Sequence, residues 1–326
     1  MKAILVQDDD ARTLAAVDMP EPTLAADHVL VTAHATAVNR ADLLQRRGLY
    51  PPPPGESDVL GLEVAGAVAA VGSAVTEWRV GDRVCALLGS GGYAEAVAVP
   101  EGMLLRIPDA LDFVQAAAIP EVFYTAFLNL FLEAGLVAGE RVLIHAGGSG
   151  VGTAAIQLAR EAGAEVYVTA GTDDKIERCL ALGAHVGINY KNEDFAERIT
   201  ALTEKQGIDV ALDCIGGSYL ASHMKILRPK GRLVLIGLMG GISAEINLAA
   251  MVQKRLRVIG STLRSRSLEE KLAITRAFKE RVLPLIESGA VRAVVDRTFP
   301  LSEADAAHAY VGANENFGKV ILTVGP

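Results

Sequence analysis

The sequence predicts an α/β protein of two domains, one rich in short β-strands and one built on a doubly wound parallel sheet. Three observations predict it. The apolar run Val142–Ile144 leads into the glycine cluster Gly147-Gly148-Ser149-Gly150-Val151-Gly152, and a helical pattern follows at once. From Ala138 onward, strand-like and helix-like segments alternate regularly. Before that point the strands are short and bounded by glycines, and two more β-like stretches come after the last helix. Returning those tail strands to the first domain gives 1–121 with 298–326 as one domain and 122–297 as the other.

In chain order, Lys2–Val6 and His28–Val38 read as strands, and Asn39–Leu44 as a short helix with Asn39 as its cap. Gly48–Tyr50 and Pro51–Pro54 must be loop, because consecutive prolines fix φ and donate no hydrogen bond. Glycine-bounded strands follow at Gly61–Gly66, Val68–Val71, Val80–Val84 and Tyr93–Val99. Val122–Leu132 is apolar but too short to cross a bilayer, and Asn129 interrupts it, so it is predicted as a buried helix.

In the second domain, strands are expected near Arg141–His145, Glu165–Thr169, Val186–Asn189, Val210–Asp213, Arg232–Ile236 and Arg257–Ile259. Helices Gly150–Ala162, Asp173–Leu182, Glu193–Lys205, Tyr219–Leu227 and one near Asn247–Lys254 lie between them. Ser267–Ser288 makes a last long helix, bent by Pro284. Val294–Phe299 and Lys319–Val324 return to β. The glycine cluster is then a strand–turn–helix junction whose first helical amides lack intrahelical partners. Together with the helix dipole such amides attract anions, and glycines let a pyrophosphate approach. The spacing departs from strict G-x-G-x-x-G at Ser149.

Composition narrows the function. Just over half the residues are apolar and about a fifth are charged, as in ordinary globular proteins. The net charge of −8 argues against a nucleic-acid surface and a basic membrane face. Cys85, Cys179 and Cys214 are too few and too far apart for a disulfide framework or metal knuckle, which fits a reducing cytoplasm. No secretory signal is seen at the start.

Asn39-Arg40-Ala41-Asp42, Gly61-Leu62-Glu63-Val64-Ala65-Gly66, Val80-Gly81-Asp82-Arg83-Val84, Ala116–Pro120 and the glycine loop with Gln157 and Arg160 together resemble the medium-chain dehydrogenase/reductase superfamily. The resemblance covers essentially the whole chain and lies with the zinc-free, zeta-crystallin-like quinone oxidoreductases. Asp213–Tyr219, Gly237–Gly241 and Arg264-Ser265-Arg266 are similar to segments of the tumour-suppressor-inducible quinone oxidoreductases. The resemblance implies a GroES-like catalytic domain, a Rossmann domain, and an active site in the cleft between them.

Zinc-dependent relatives carry cysteine where this chain has Asn39 and histidine where it has Leu62, and leucine cannot ligate zinc. The six histidines are scattered without ligand spacing, so no metal is expected. Without a Lewis acid, an activated acceptor such as a quinone or a conjugated alkene is the better substrate, because it takes hydride while its oxygen gathers charge. The resemblance makes Asn39 and Tyr50 the catalytic donors; otherwise Asn39 is a helix cap and Tyr50 packs on the prolines. It also places Thr125 near the nicotinamide, the alternative being a core threonine.

For the cofactor, the glycine loop supplies Ser149, Gly150 and Val151. The second strand of that domain ends in Thr169-Ala170-Gly171, small and uncharged, which leaves room for a 2′-phosphate and favours NADPH over NADH. Asp173 and Asp174 read as first-turn acids behind a Thr172 cap. Lys175 and Tyr190 are the pair expected to grip the phosphate, against a solvated lysine and a packed tyrosine. Gly237, Leu238 and Met239, then Ser261-Thr262-Leu263, lie at strand ends where main-chain groups can hold the carboxamide, and Cys214 is a small apolar wall there. Arg264 and Arg266 read as solvated loop arginines, or as partners of an anionic substrate. A homodimer through the strand around Arg257–Gly260 is expected from the resemblance. Three functions stay open: a quinone reductase, an enoyl or enone reductase, and a cofactor-binding crystallin-like or RNA-binding protein.

Overall fold

The chain opens on a small antiparallel sheet in which β1 (Lys2–Val6) pairs with β2 (Leu14–Asp18), a strand not expected from the sequence. The computed structural model describes residues 1–325. β3 (His28–Val38), α1 (Arg40–Arg46), β4 (Glu63–Val71), β5 (Arg83–Leu87), β6 (Ala96–Pro100), β7 (Leu104–Arg106) and α2 (Phe113–Ala117) follow. α3 (Pro120–Phe127) runs into a π-helical turn, Leu128–Glu133, and together they make the expected buried helix.

Then β8 (Arg141–Ile144), α4 (Gly150–Glu161), β9 (Glu165–Ala170), α5 (Asp173–Ala181), β10 (Val186–Asn189), α6 (Phe195–Leu202), β11 (Ile208–Asp213), α7 (Gly217–Ile226), β12 (Leu227–Leu235), α8 (Leu248–Lys254) and β13 (Arg257–Gly260) alternate as predicted. The tail is α9 (Leu268–Arg281), α10 (Leu283–Glu287), β14 (Val295–Pro300), α11 (Ala304–Gly312) and β15 (Lys319–Thr323).

These elements form two units, residues up to Tyr124 together with those from Leu263 onward, and Thr125–Thr262. In the first unit a seven-stranded sheet runs β14-β15-β3-β4-β5-β7, with β6 also on β3. Its pairings are antiparallel except β14 with β15, and β15 pairs with β3. In the second unit six parallel strands run β10-β9-β8-β11-β12-β13, the doubly wound order that reverses direction at β8. Leu143, Tyr167, Ile199, Ala211 and Leu233 lie in its core.

Several boundaries differ from expectation for local reasons. Val80-Gly81-Asp82 is a turn rather than a strand start: Gly81 has φ +93° and the Asp82 amide bonds Arg79 O at 3.1 Å. The long terminal helix is two helices, broken at Val282, with Pro284 in the first turn of the second, where a missing N–H costs nothing. α9 and α10 belong to the first unit, so the second boundary falls after Thr262 rather than 297. The reason is packing: Phe278 stacks on Tyr124 at 4.2 Å, and Thr275 donates to Met103 Sδ. Among the described residues no helix is long and apolar enough to cross a membrane.

Candidate active site

In the first unit the end of β3, the start of α1, the start of β4 and the start of β15 bring polar side chains into the core. Glu63 is fully buried and Asn39 and Lys319 nearly so. The Lys319 ammonium donates to Glu63 Oε1 at 2.8 Å, Asn39 Oδ1 at 2.6 Å and Val38 O at 3.2 Å. Asn39 Nδ2 donates to the same Glu63 oxygen at 2.8 Å, and Glu63 Oε2 accepts the Glu121 amide at 2.9 Å. The Asn39 carboxamide is thus engaged at both ends. The helix entry is closed instead by Asp42, whose carboxylate accepts the Asn39 amide at 2.7 Å.

Asp42 also accepts from Gly61 N and from the Tyr93 hydroxyl, which in turn meets His308 Nε2 at 3.0 Å. Burial pushes the Asp42 carboxyl up to about 6. Burial, reinforced by the charge of Glu63, pushes half-buried Glu121 up to about 8. Leu62, where zinc-dependent enzymes would place a histidine, is an apolar side chain at 1% exposure.

Tyr50 lies half-buried in the loop after α1. Burial raises its pKa, Glu121 adds to the rise and the Arg264 charge opposes it, so the phenol keeps its proton across the working range. Arg264 is a correction to the sequence reading. It is not solvated but 5% exposed, with its guanidinium 5.2 Å above the Tyr50 ring.

The second unit holds the residues expected to meet the cofactor, apart from Leu263. Ser149 caps α4, its hydroxyl accepting the Gly152 amide at 3.0 Å. The amides of Gly150 and Val151, ahead of it, have no intrahelical acceptor and suit a pyrophosphate. A Cβ on Gly152 would sit 2.4 Å from Ala146 O, so only glycine lets the loop fold this tightly onto the helix. Gly147 packs likewise on Val168 and Cys179, each 3.0 Å from a notional Cβ.

At the end of β9, Ala170 and Gly171 carry no charge, and the Tyr190 hydroxyl lies 2.7 Å from where a Gly171 Cβ would be. Lys175 is in the first turn of α5, behind Thr172, which caps its amide at 3.3 Å. The acid Asp173 accepts from Asn189 Nδ2 at 2.6 Å. Lys191, which the sequence reading passed over, has its Cε 3.4 Å from the same notional Gly171 Cβ. Its signal was its place directly after Tyr190.

Gly237, Met239 and Cys214 are brought together: Met239 N donates to Cys214 O at 3.2 Å, and a Gly237 Cβ would lie 2.9 Å from that oxygen. Leu238 and Met239 are exposed. Ser261 follows β13 with its hydroxyl buried and unpartnered among the described residues, a group suited to a bound amide. Thr125 opens the second unit, half-buried, its carbonyl accepting from Asn129. Leu263 is buried and falls in the first unit. A nicotinamide dinucleotide fits this set of anion-seeking amides, tight glycines and an uncharged strand end.

The histidines are not all scattered. His145, Asp213 and His223 are buried with donor atoms within 4.8 Å of one another. Each also bonds a neighbour, while His145 Nε2 and His223 Nδ1 have no hydrogen-bond partner among the described residues. Asp213 accepts from Ile215 N at 2.6 Å, Gly216 N at 3.1 Å and His223 Nε2 at 3.2 Å, and His145 Nδ1 meets Thr169 Oγ1 at 2.8 Å. Burial and the nearby His223 charge drive the His145 pKa down to about 3. Burial pushes the Asp213 carboxyl up, but His223, His145 and the backbone bonds outweigh it and hold it below its usual value. The trio braces the turns under the glycine loop.

A parallel sheet reversing at a glycine-loop strand, in one chain with a β-rich unit of buried polar side chains, defines a nicotinamide-dependent oxidoreductase. Known proteins agree. A family model described as "Alcohol dehydrogenase GroES-like domain" matches residues 25–109, and "Zinc-binding dehydrogenase" matches 150–286, a span that excludes Asn39 and Leu62. The quinone oxidoreductase of Rattus norvegicus is 34% identical over 94% of this chain and 92% of its own. The structure of the Escherichia coli quinone oxidoreductase complexed with NADPH aligns with TM-score 0.88 at 30% identity over 99% of both chains. The CurK enoyl reductase aligns with TM-score 0.87 at 29% identity, again over 99% of both. The chain belongs to the medium-chain dehydrogenase/reductase superfamily, in its quinone oxidoreductase branch.

Proposed function

We propose that this protein is an NADPH-dependent quinone oxidoreductase working by direct, metal-free hydride transfer. The observation that carries the reading is the Lys319–Glu63–Asn39 cluster beside Leu62. Where a zinc enzyme needs open ligands, this chain has a leucine and an amide already bound to a buried ammonium. NADPH, when bound, supplies the hydride. The α4 amides and Ser149 hold its pyrophosphate, and Gly171, Lys175 and Tyr190 accept the 2′-phosphate. Thr125, Cys214, Gly237, Leu238 and Met239 surround the nicotinamide. Tyr50, protonated at neutral pH, donates to the acceptor's oxygen as charge gathers there. Asn39, its amide engaged, acts by holding the cluster rather than by touching substrate. The expected assembly is a homodimer through β13, the edge strand of its sheet.

Reduction of an enone or enoyl thioester is the second reading, favoured by a phenol that stays protonated and so can protonate carbon. NADPH oxidation measured side by side with ortho- and para-quinones, enones and enoyl thioesters decides between them. Tyr50→Phe should lower quinone turnover modestly. On an enoyl substrate it should cost more, since general-acid help contributes ~10²–10⁴-fold. Efficient thioester reduction with no quinone turnover would replace the first reading by the second.

A further inference from the structure

Arg264 is a buried cation that hydride transfer, as described, does not use. Each of its guanidinium nitrogens has an acceptor on a different stretch of the first unit. Nε donates to Gly89 O at 2.6 Å, Nη1 to Tyr50 O at 3.2 Å, and Nη2 to Gln45 Oε1 at 2.6 Å. The guanidinium also lies over the Tyr50 ring, 5.2 Å from its centroid. One side chain therefore grips both the backbone and the aromatic face of Tyr50, and ties them to α1 and to the loop after β5. Tyr50 needs such a hold. It sits at the start of Pro51–Pro54, a stretch with no regular secondary structure whose prolines donate no hydrogen bonds.

We propose that Arg264 is the positioning residue of Tyr50, its fork and its planar face together fixing the phenol in one orientation for the acceptor. The inference rests on the reading that Tyr50 serves the acceptor. A planar fork with five fixed donors and a stacking face does this, whereas a lysine ammonium has neither the rigid fork nor a flat face to lay on the ring. Keeping a guanidinium buried is costly unless its donors are met, and here each nitrogen has an acceptor.

The test compares Tyr50→Phe, Arg264→Met, Arg264→Lys and the double variant Tyr50→Phe/Arg264→Met, using whichever acceptor Tyr50→Phe slows most. Arg264→Met should lower kcat about as much as Tyr50→Phe, with KM for NADPH changed less than twofold. The double variant should be no slower than the worse single one, since both changes act through one phenol. Arg264→Lys should not restore the rate. Multiplicative losses in the double variant, full rescue by lysine, or a normal kcat in Arg264→Met would each overturn the proposal. If Tyr50→Phe is without effect on every acceptor, the reading of Tyr50 itself fails, and that result is distinguishable from a failed clamp. Should Arg264→Met not fold, Gln45→Met removes one acceptor without unburying charge. A several-fold loss of kcat at unchanged thermal stability supports the clamp, and no loss overturns it.

Discussion

Lys319 and Glu63 stand 256 positions apart in the chain and are joined by a 2.8 Å ion pair with both side chains buried. The pair ties the start of β15 to the start of β4 and holds the Asn39 amide between them. A buried pair of this kind adds little net stability over apolar packing, but breaking it strands a charge. Lys319→Met should therefore destabilise the protein by about 3–5 kcal/mol, read as a lower urea midpoint. Adding Glu63→Gln should recover most of the loss. A midpoint unchanged by Lys319→Met would show that Glu63 is satisfied without the ammonium.

Cofactor preference is expected to follow the end of β9. Losing one charge-assisted contact to a 2′-phosphate costs about 1.5–3 kcal/mol, roughly tenfold or more in affinity. Lys175→Ala should weaken NADPH binding by that factor and leave NADH nearly untouched, and Lys191→Ala should do the same more mildly. Titration of cofactor fluorescence with both nucleotides checks it. Equal weakening for both would remove these lysines from phosphate recognition.

The glycine loop gives a sharper geometric prediction. In Gly152→Ala the new methyl would fall 2.4 Å from Ala146 O and 2.6 Å from Gly147 O, so the loop must lift off α4. Affinity for both nucleotides should drop at least about tenfold, because the amides proposed to hold the pyrophosphate would move together. Far-UV circular dichroism should stay unchanged. Wild-type affinity in this variant would show that the loop tolerates the shift.

Acid should destabilise the fold through its buried histidines. Burial depresses the His145 and His308 pKa values to about 3, so both are neutral in the native state and take up protons mainly on unfolding. The stability they contribute is present above pH 6.5 and is lost as pH falls from there toward 3. Burial of Glu121 works in the opposite sense. Its carboxyl, raised to about 8, binds a proton more tightly when folded, so its contribution declines as pH rises from 4.5 to 8. Urea midpoints at pH 7 and 4.5 should show a smaller acid loss in His308→Leu than in the parent protein. An identical loss would assign acid sensitivity to other groups.

Much of the second unit was legible because its determinants are local. A six-strand alternation and a glycine cluster between strand and helix need only neighbouring residues to be recognised, and five of the six strands begin within a residue or two of where they were expected. The first unit was read less fully. β2 and β7 are five and three residues long and owe their pairing to strands elsewhere, and α11 has no cap that announces it. Val80–Asp82 showed a strand-like composition, but Gly81 turned it.

By itself, then, the sequence determined the doubly wound sheet, the glycine-rich turn into a helix, the uncharged close of β9 and the presence of an amide and a leucine at Asn39 and Leu62. Each is a matter of residue type at a local position. Tertiary structure alone decided that the Asn39 amide is held by Lys319, 280 residues away, that Arg264 grips Tyr50 instead of facing solvent, and that His145 and His223 meet over Asp213. The physical reason is the same in each case. A long polar side chain has no intrinsic direction, and only when folding removes water do the available buried partners dictate which bonds it makes.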